Sequence, residues 1–221
     1  MSVIPLKYPH VMRSEENFIR TYTGRKFWPL DPKPEEVHIE DIAHALSLTC
    51  RFTGHCKTHY SVADHSLRVS KLAAEIVMGG GVGNETIIAG RAERVRLARE
   101  IALWGLLHDA SEAYLCDLPS PIKRAPGMGQ VYKLYESRLM DVIAQRFNLI
   151  PHEPVIVKNA DRMLLNTEMR DLMCGANYSP EVLSDKIYAM RRYEAEEGFL
   201  RRFHLLIMAR ETDADLWRTD T

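Results

Sequence analysis

Three polar residues of this chain fall where a helical protein usually places apolar ones. His65 lies three residues after Val62 and four before Val69, on the apolar stripe of an amphipathic run. His108 lies between Gly105 and Glu112 at spacings of three and four. Asp161 shares a side with Val157, Leu164, Leu165, Glu168 and Leu172. An inward aspartate needs a partner, because stripping water from its charge is costly. Asp109 stands about 100° around the helix from His108. Two imidazoles and two carboxylates suit a first-row divalent metal and a hydrolytic centre with open positions. Glu112, one helical turn after His108, is placed to take a proton near such a metal without binding it.

Each of these residues also has a plainer reading. A lone inward histidine is most often bonded to a backbone group, and an inward aspartate can pair with an arginine such as Arg51. Asp109 can be a solvated or capping carboxylate beside an imidazole, and Glu112 a simple hydrogen-bond partner of His108.

The elements that position these groups are helical. Residues 1–37, with Pro29, Pro32 and Pro34, read as an irregular arm packed on the body. IEDIAHALS starts a short helix near Asp41, and LTCRFTGHCKTHY reads as a loop rich in groups able to touch a ligand. An amphipathic helix covers Val62 to Met78, ended by GGGVGN at 79–84. A second runs from about Ala92 through WGLLHDASEAYL to about Leu115, where Pro119 and Pro121 prevent continuation. Further helices are expected over Gln130 to Phe147, Pro154 to Met173 and, strongly charged, Ser184 to Arg210. No run alternates as a strand would. The fold class is all-α, with one body over 38–210 and a tail at 211–221.

At 221 residues, with 46% hydrophobic and 27% charged residues, the chain is long enough for one substantial core. A net charge of −1 supplies no basic field for long nucleic acid, and Arg191-Arg192 and Arg201-Arg202 read as a solvated helix face. Cys50, Cys56, Cys116 and Cys174 form no C-x-x-C pair and read as reduced thiols. With neither a signal-peptide core nor a membrane-spanning apolar run, a soluble, cytoplasmic protein is expected.

SVADHSLRVS, LLHDASEAYLCDLPSPIK and KNADRMLLNTE, in that order, resemble the successive signatures of the HD-domain phosphohydrolases, over roughly residues 38–205. The likeness is greatest to 5′-deoxynucleotidases and phage-type dATP triphosphohydrolases, which share the pattern HDASE…DLPxPxK. The resemblance implies a single HD-domain helical bundle with His65, His108, Asp109 and Asp161 as metal ligands. It implies Glu112 as the acid/base that handles the hydrolytic water, with Asp117 supporting the substrate or that water. The implied ion is zinc, manganese, cobalt or iron, with magnesium accompanying the substrate.

Where that branch often carries Arg-Trp, this chain has Arg51-Phe52. The guanidinium still suits phosphate and the phenyl ring can stack, but the indole N–H donor is gone. His55, Lys57, His59, Pro119 and Lys123 complete the substrate-side candidates. The implied substrate is a small deoxynucleoside mono- or triphosphate, and the implied assembly a homo-oligomer. Alternatives are a guanosine tetraphosphate-type hydrolase and a non-catalytic metal-containing nucleotide sensor. Diiron oxygenases of the superfamily need two further histidines between the His-Asp pair and the last aspartate, where this chain has only His152. Its cyclic-dinucleotide phosphodiesterases need a Gly-Tyr-Pro signature, which is missing.

Overall fold

A computed structural model describes residues 13–79, 90–175 and 177–208. In chain order these form a hairpin of β1 (Ile19–Arg20) and β2 (Lys26–Phe27), then α1 (Ile39–Leu48), α2 (Val62–Gly79) and α3 (Arg91–Leu107). Two short helices, α4 (Glu112–Leu115) and α5 (Ser120–Lys123), lead to α6 (Met128–Phe147), α7 (Val155–Leu172) and α8 (Arg192–Met208). Among the described residues 62% are helical and 3% are in strands, so the class is all-α. No helix of the described residues is long and apolar enough to cross a membrane. Most of the glycine-rich segment expected to end α2, the end of the last expected helix and the tail at 211–221 lie outside the described residues.

Helix α2 carries His65 and His108 caps the C-terminal end of α3, and small residues set how closely this helix pair packs. Ser61 caps α2, its Oγ accepting the Asp64 N–H at 3.1 Å, which fixes His65 in the first turns of the helix. Further along, Ser70 faces Ala102 and Gly105 of α3. Ser70 Oγ donates to the Ala102 carbonyl at 2.7 Å, while Arg202 of α8, itself buried, donates to that Oγ at 3.1 Å. A Cβ at Gly105 would lie 3.0 Å from Ser70 Cα and 3.2 Å from Ser70 N. These are backbone atoms, so the helices themselves would have to part. Gly105→Ala is therefore expected to lower stability by a net of about 1–2 kcal/mol, despite alanine's better helix propensity. The check is a lower urea midpoint at unchanged m.

Two of the expected helices end differently. The run expected to continue from Ala92 to Leu115 breaks after Leu107. His108 Nδ1 donates to the Gly105 carbonyl at 2.8 Å, the group that an α-helix would offer to the Asp109 N–H. The chain proceeds through tighter i→i−3 bonds, Ala110 to Leu107 at 2.9 Å and Glu112 to Asp109 at 3.0 Å, before α4 begins.

The charged helix expected from Ser184 starts only at Arg192, because side chains of the body bind the backbone of residues 177–191 and hold it non-helical. The amides of Leu183, Ile187 and Met190 donate to Thr167, Asp171 and Asp64 at 3.0, 2.8 and 2.7 Å. Arg170 and Arg68 donate to the carbonyls of Leu183 and Tyr188, both at 2.7 Å. This strap lies across the ends of α2 and α7.

The described part of the N-terminal arm holds the hairpin, an addition to the expectation of no strands. It is clamped by Arg146, donating to the Val37 carbonyl at 3.1 Å, and by Arg138, donating to the Leu30 carbonyl at 3.0 Å and pairing with Asp31. Buried Phe27 stacks on Tyr114 of α4 with ring centroids 4.0 Å apart, seating the arm behind the broken helix.

Candidate metal centre and substrate cavity

His65 is fully buried, and its Nδ1 lies 2.6 Å from Glu168 Oε1 on α7. The same oxygen accepts from the Tyr60 hydroxyl at 2.9 Å. Burial favours a neutral Glu168, but Arg51 and His65 outweigh it and bring the carboxyl down to about 2. An ionised carboxylate only accepts, so Nδ1 carries the hydrogen and Nε2 is the nitrogen left to take a metal or a second proton. His108 reaches the same state through the Gly105 carbonyl, which also only accepts.

The two Nε2 atoms then face each other at 3.3 Å. Asp109 Oδ2 lies 3.2 Å from His108 Nε2 and 3.7 Å from His65 Nε2, and Asp161 Oδ1 lies 3.2 Å from His65 Nε2. Ligand atoms of His65, His108 and Asp109 all lie within 4.8 Å of one another, a group that could hold a metal ion. Asp161 adjoins this group through His65, its side chain 40% exposed.

The electrostatics fit a divalent cation. With both imidazoles neutral, Arg51 pairs with Asp109 and Glu168 and Asp161 adds a third carboxylate, leaving two net negative charges on these four groups. Burial pulls His108 down, but Asp109 and Asp161 outweigh it and raise the imidazole to about 10. Burial and Arg51 pull on His65 the same way, yet Glu168 and Asp161 leave it raised. Burial pushes Asp109 up, whereas His108, His65 and Arg51 hold it well below the usual carboxylate range. Protons on the imidazoles and a metal between them answer the same demand for positive charge.

The tightened turn separates the roles of adjacent residues. At i→i−3 spacing Asp109 and Glu112 come into register, in place of the His108 and Glu112 pairing expected from an unbroken helix. Glu112 is buried, with Oε1 3.1 Å from Lys123 Nζ and Oε2 without a hydrogen-bond partner among the described residues. Burial, then Asp109 and Asp117, push its carboxyl up to about 8. Asp117 is raised as well, chiefly by burial, with Arg51 and Lys123 opposing.

Two cavities meet at this cluster. One of about 580 Å³ is lined by Arg51, Phe52, His55, Glu112, Asp117 and Lys123, among others. The other, about 720 Å³, opens on the α6 side and includes Lys133, Glu136, His152, Glu153 and Lys158. Asp109, Lys123 and Asp161 line both.

No family model matches the chain. It is 35% identical over 156 residues to the uncharacterized protein YfdR of Escherichia coli K12, an alignment covering 71% of this chain and 72% of YfdR. The chain belongs to the family of YfdR. A second relative, the uncharacterized protein RCAP_rcc00048 of Rhodobacter capsulatus, is 38% identical over 143 residues, 64% of this chain and 63% of that protein. Neither name states an activity, so function in this YfdR-family chain rests on the site itself.

At the smaller cavity, the loop before α2 aims Arg51 inward. Its Nε and Nη2 donate to Glu168 Oε2 at 3.2 and 3.1 Å, and Nη1 to Asp109 Oδ2 at 3.4 Å. The guanidinium carbon lies 5.5 Å from the Phe52 ring centroid. Phe52 and Thr53 are left-handed, at φ 55° and 54°, a conformation that costs roughly 1–3 kcal/mol at each non-glycine residue. Bonds at both ends hold it, Arg51 N to Tyr60 O at 2.9 Å and Lys57 N to Leu172 O at 2.8 Å. Cys50 and Cys56 flank the loop as free thiols with sulfurs 3.6 Å apart.

Of the substrate-side candidates in this YfdR-family protein, Arg51, Phe52, His55, Pro119 and Lys123 line one cavity. Lys57 instead donates to the Asp171 carbonyl at 2.9 Å, and neither it nor His59 reaches that lining. Sequence reasoning gave no role to Glu168 or Tyr60. The available signal was Glu168 itself, an acid two turns after Asp161 on the same buried stripe.

Proposed function

We propose that this chain is a divalent-metal-dependent phosphohydrolase of the HD-domain type, acting on deoxynucleoside mono- or triphosphates. The observation that carries the reading is the pair of Nε2 atoms facing each other at 3.3 Å, each freed for a metal by an Nδ1 committed elsewhere. His65, His108, Asp109 and Asp161 would hold the ion. When bound, a divalent cation lowers the pKa of its water and polarises a phosphoryl oxygen.

The chain's own groups do the rest. Arg51 and Lys123 line the smaller cavity as cations for phosphate oxygens, Arg51 offering a planar fork. Phe52 offers a face for sugar or base. Glu112, raised to about 8, is present in both protonation states near neutral pH, which suits taking the proton of the attacking water and returning one to the leaving oxygen. Asp117, on the wall shared with Glu112, supports that water or the substrate.

The test is a panel of nucleoside mono-, di- and triphosphates given to protein loaded with manganese, cobalt or zinc, with products identified. Release of phosphate, pyrophosphate or triphosphate from at least one nucleotide is expected. Inactivity across the panel with metal demonstrably bound overturns the reading.

A further inference from the structure

Glu168 touches neither cavity, yet it joins their two functions. One oxygen accepts from His65 Nδ1 at 2.6 Å and from the Tyr60 hydroxyl at 2.9 Å. The other accepts from Arg51 Nε at 3.2 Å and Nη2 at 3.1 Å. The carboxylate is fully buried on α7, two turns after Asp161. We propose that Glu168 is the positioning residue of this site, one carboxylate that sets the metal-binding tautomer of His65 and the aim of Arg51 toward an anionic phosphate. This rests on the metal and phosphate reading given above.

The assignment follows from the donors on each side. His65 binds a cation through Nε2 only if Nδ1 keeps its hydrogen, and a buried acceptor at 2.6 Å keeps it there. Arg51, anchored through Nε and Nη2, is left with Nη1 turned toward Asp109 Oδ2 and the cavity. A carboxylate accepts on both oxygens, whereas an amide of the same shape accepts on one and donates on the other. Glutamine at 168 must therefore fail one side. With its amide nitrogen toward Arg51 it opposes N–H to N–H and displaces the guanidinium. Turned around, it opposes His65 Nδ1 and favours the tautomer protonated on Nε2.

Zinc affinity, from competition with a chromogenic chelator, and inorganic phosphate affinity of the metal-free protein are compared for wild type, Glu168→Gln and Tyr60→Phe. Glu168→Gln is expected to lose about 10–100-fold in one of the two affinities. Tyr60→Phe removes a bond to the same oxygen but leaves both donor sides served, and should change little. Equal losses in both variants, or none in Glu168→Gln, would overturn the proposal.

Nitrogen-15 spectra of zinc-loaded wild type decide the matter even if Glu168→Gln does not fold. His65 should coordinate through Nε2 with Nδ1 protonated, and coordination through Nδ1 overturns the assignment. A wild type that binds neither zinc nor phosphate removes the underlying reading and the proposal with it. Binding by wild type that is unchanged in Glu168→Gln removes only the role of Glu168.

Discussion

His65→Ala is expected to lower metal affinity by at least about 100-fold, because loss of a mere outer-shell partner already costs about 10–100-fold. His65 is the group that the rest of the cluster shares. It lies within 3.3 Å of His108 Nε2 and 3.2 Å of Asp161 Oδ1, and it is the link to Glu168. Without it, Asp109 and Asp161 keep His108 and Arg51, among the described residues, to offset their charge, and a buried oxygen of Glu168 loses one of its two donors. Turnover should fall with the metal. Metal content after dialysis against a weak chelator, measured by mass spectrometry, checks this, with circular dichroism confirming that the helices persist. Full metal content in His65→Ala would remove this residue from the ligand set.

Glu112→Gln should separate chemistry from metal binding. The amide is nearly isosteric and leaves His65, His108, Asp109 and Asp161 in place, so metal content should hold while kcat falls about 10²–10⁴-fold. In wild type, kcat/KM should rise with pH as Glu112 ionises, below the value of about 8 where a bound cation lowers it, and this limb should vanish in the variant.

The same substitution should act on stability in the opposite sense. A folded carboxyl near 8, against an ordinary 4.5, keeps its proton longer than in the unfolded chain. Its contribution is full below about pH 4.5 and lost as pH rises through 8. Glutamine never ionises and avoids that loss. Metal-free Glu112→Gln should be more stable than wild type at pH 9, by about 0.5–2 kcal/mol, with little difference at pH 5. Thermal melts at the two pH values read this directly.

The helices that carry the site were legible in the sequence where periodicity is local. Val62 to Met78 reads as an amphipathic helix with His65 inward, and the structure buries His65 completely on α2. Asp161 was placed on the inner side of α7, and it opens onto the two cavities beside the histidines.

Periodicity failed where a side chain competes with the backbone. Nothing in WGLLHDASEAYL marks His108 as taking the Gly105 carbonyl, so the helix was expected to run on and Glu112 to sit above His108. Residues after Ser184 have the composition of a helix, but their amides are bound by Asp64, Thr167 and Asp171, and Asp64 lies 126 positions from the Met190 it binds. The grip of Glu168 on Arg51 spans 117 positions and leaves no local trace. Such contacts are set by packing of the whole body, which a single sequence encodes only collectively.

The strap over residues 177–191 ties the His65 end of α2 to a segment more than a hundred positions away. Asp64, the neighbour of His65, holds the Met190 amide with one oxygen and Arg68 with the other, and Arg68 in turn holds the Tyr188 carbonyl. Lifting the strap takes the Met190 amide from one oxygen of a buried carboxylate in the first turn of the helix that carries His65. A segment without regular secondary structure, which resembles a surface loop, is therefore expected to open together with the histidine's own helical turn, which hydrogen exchange at the Met190 and His65 amides would read as a shared opening.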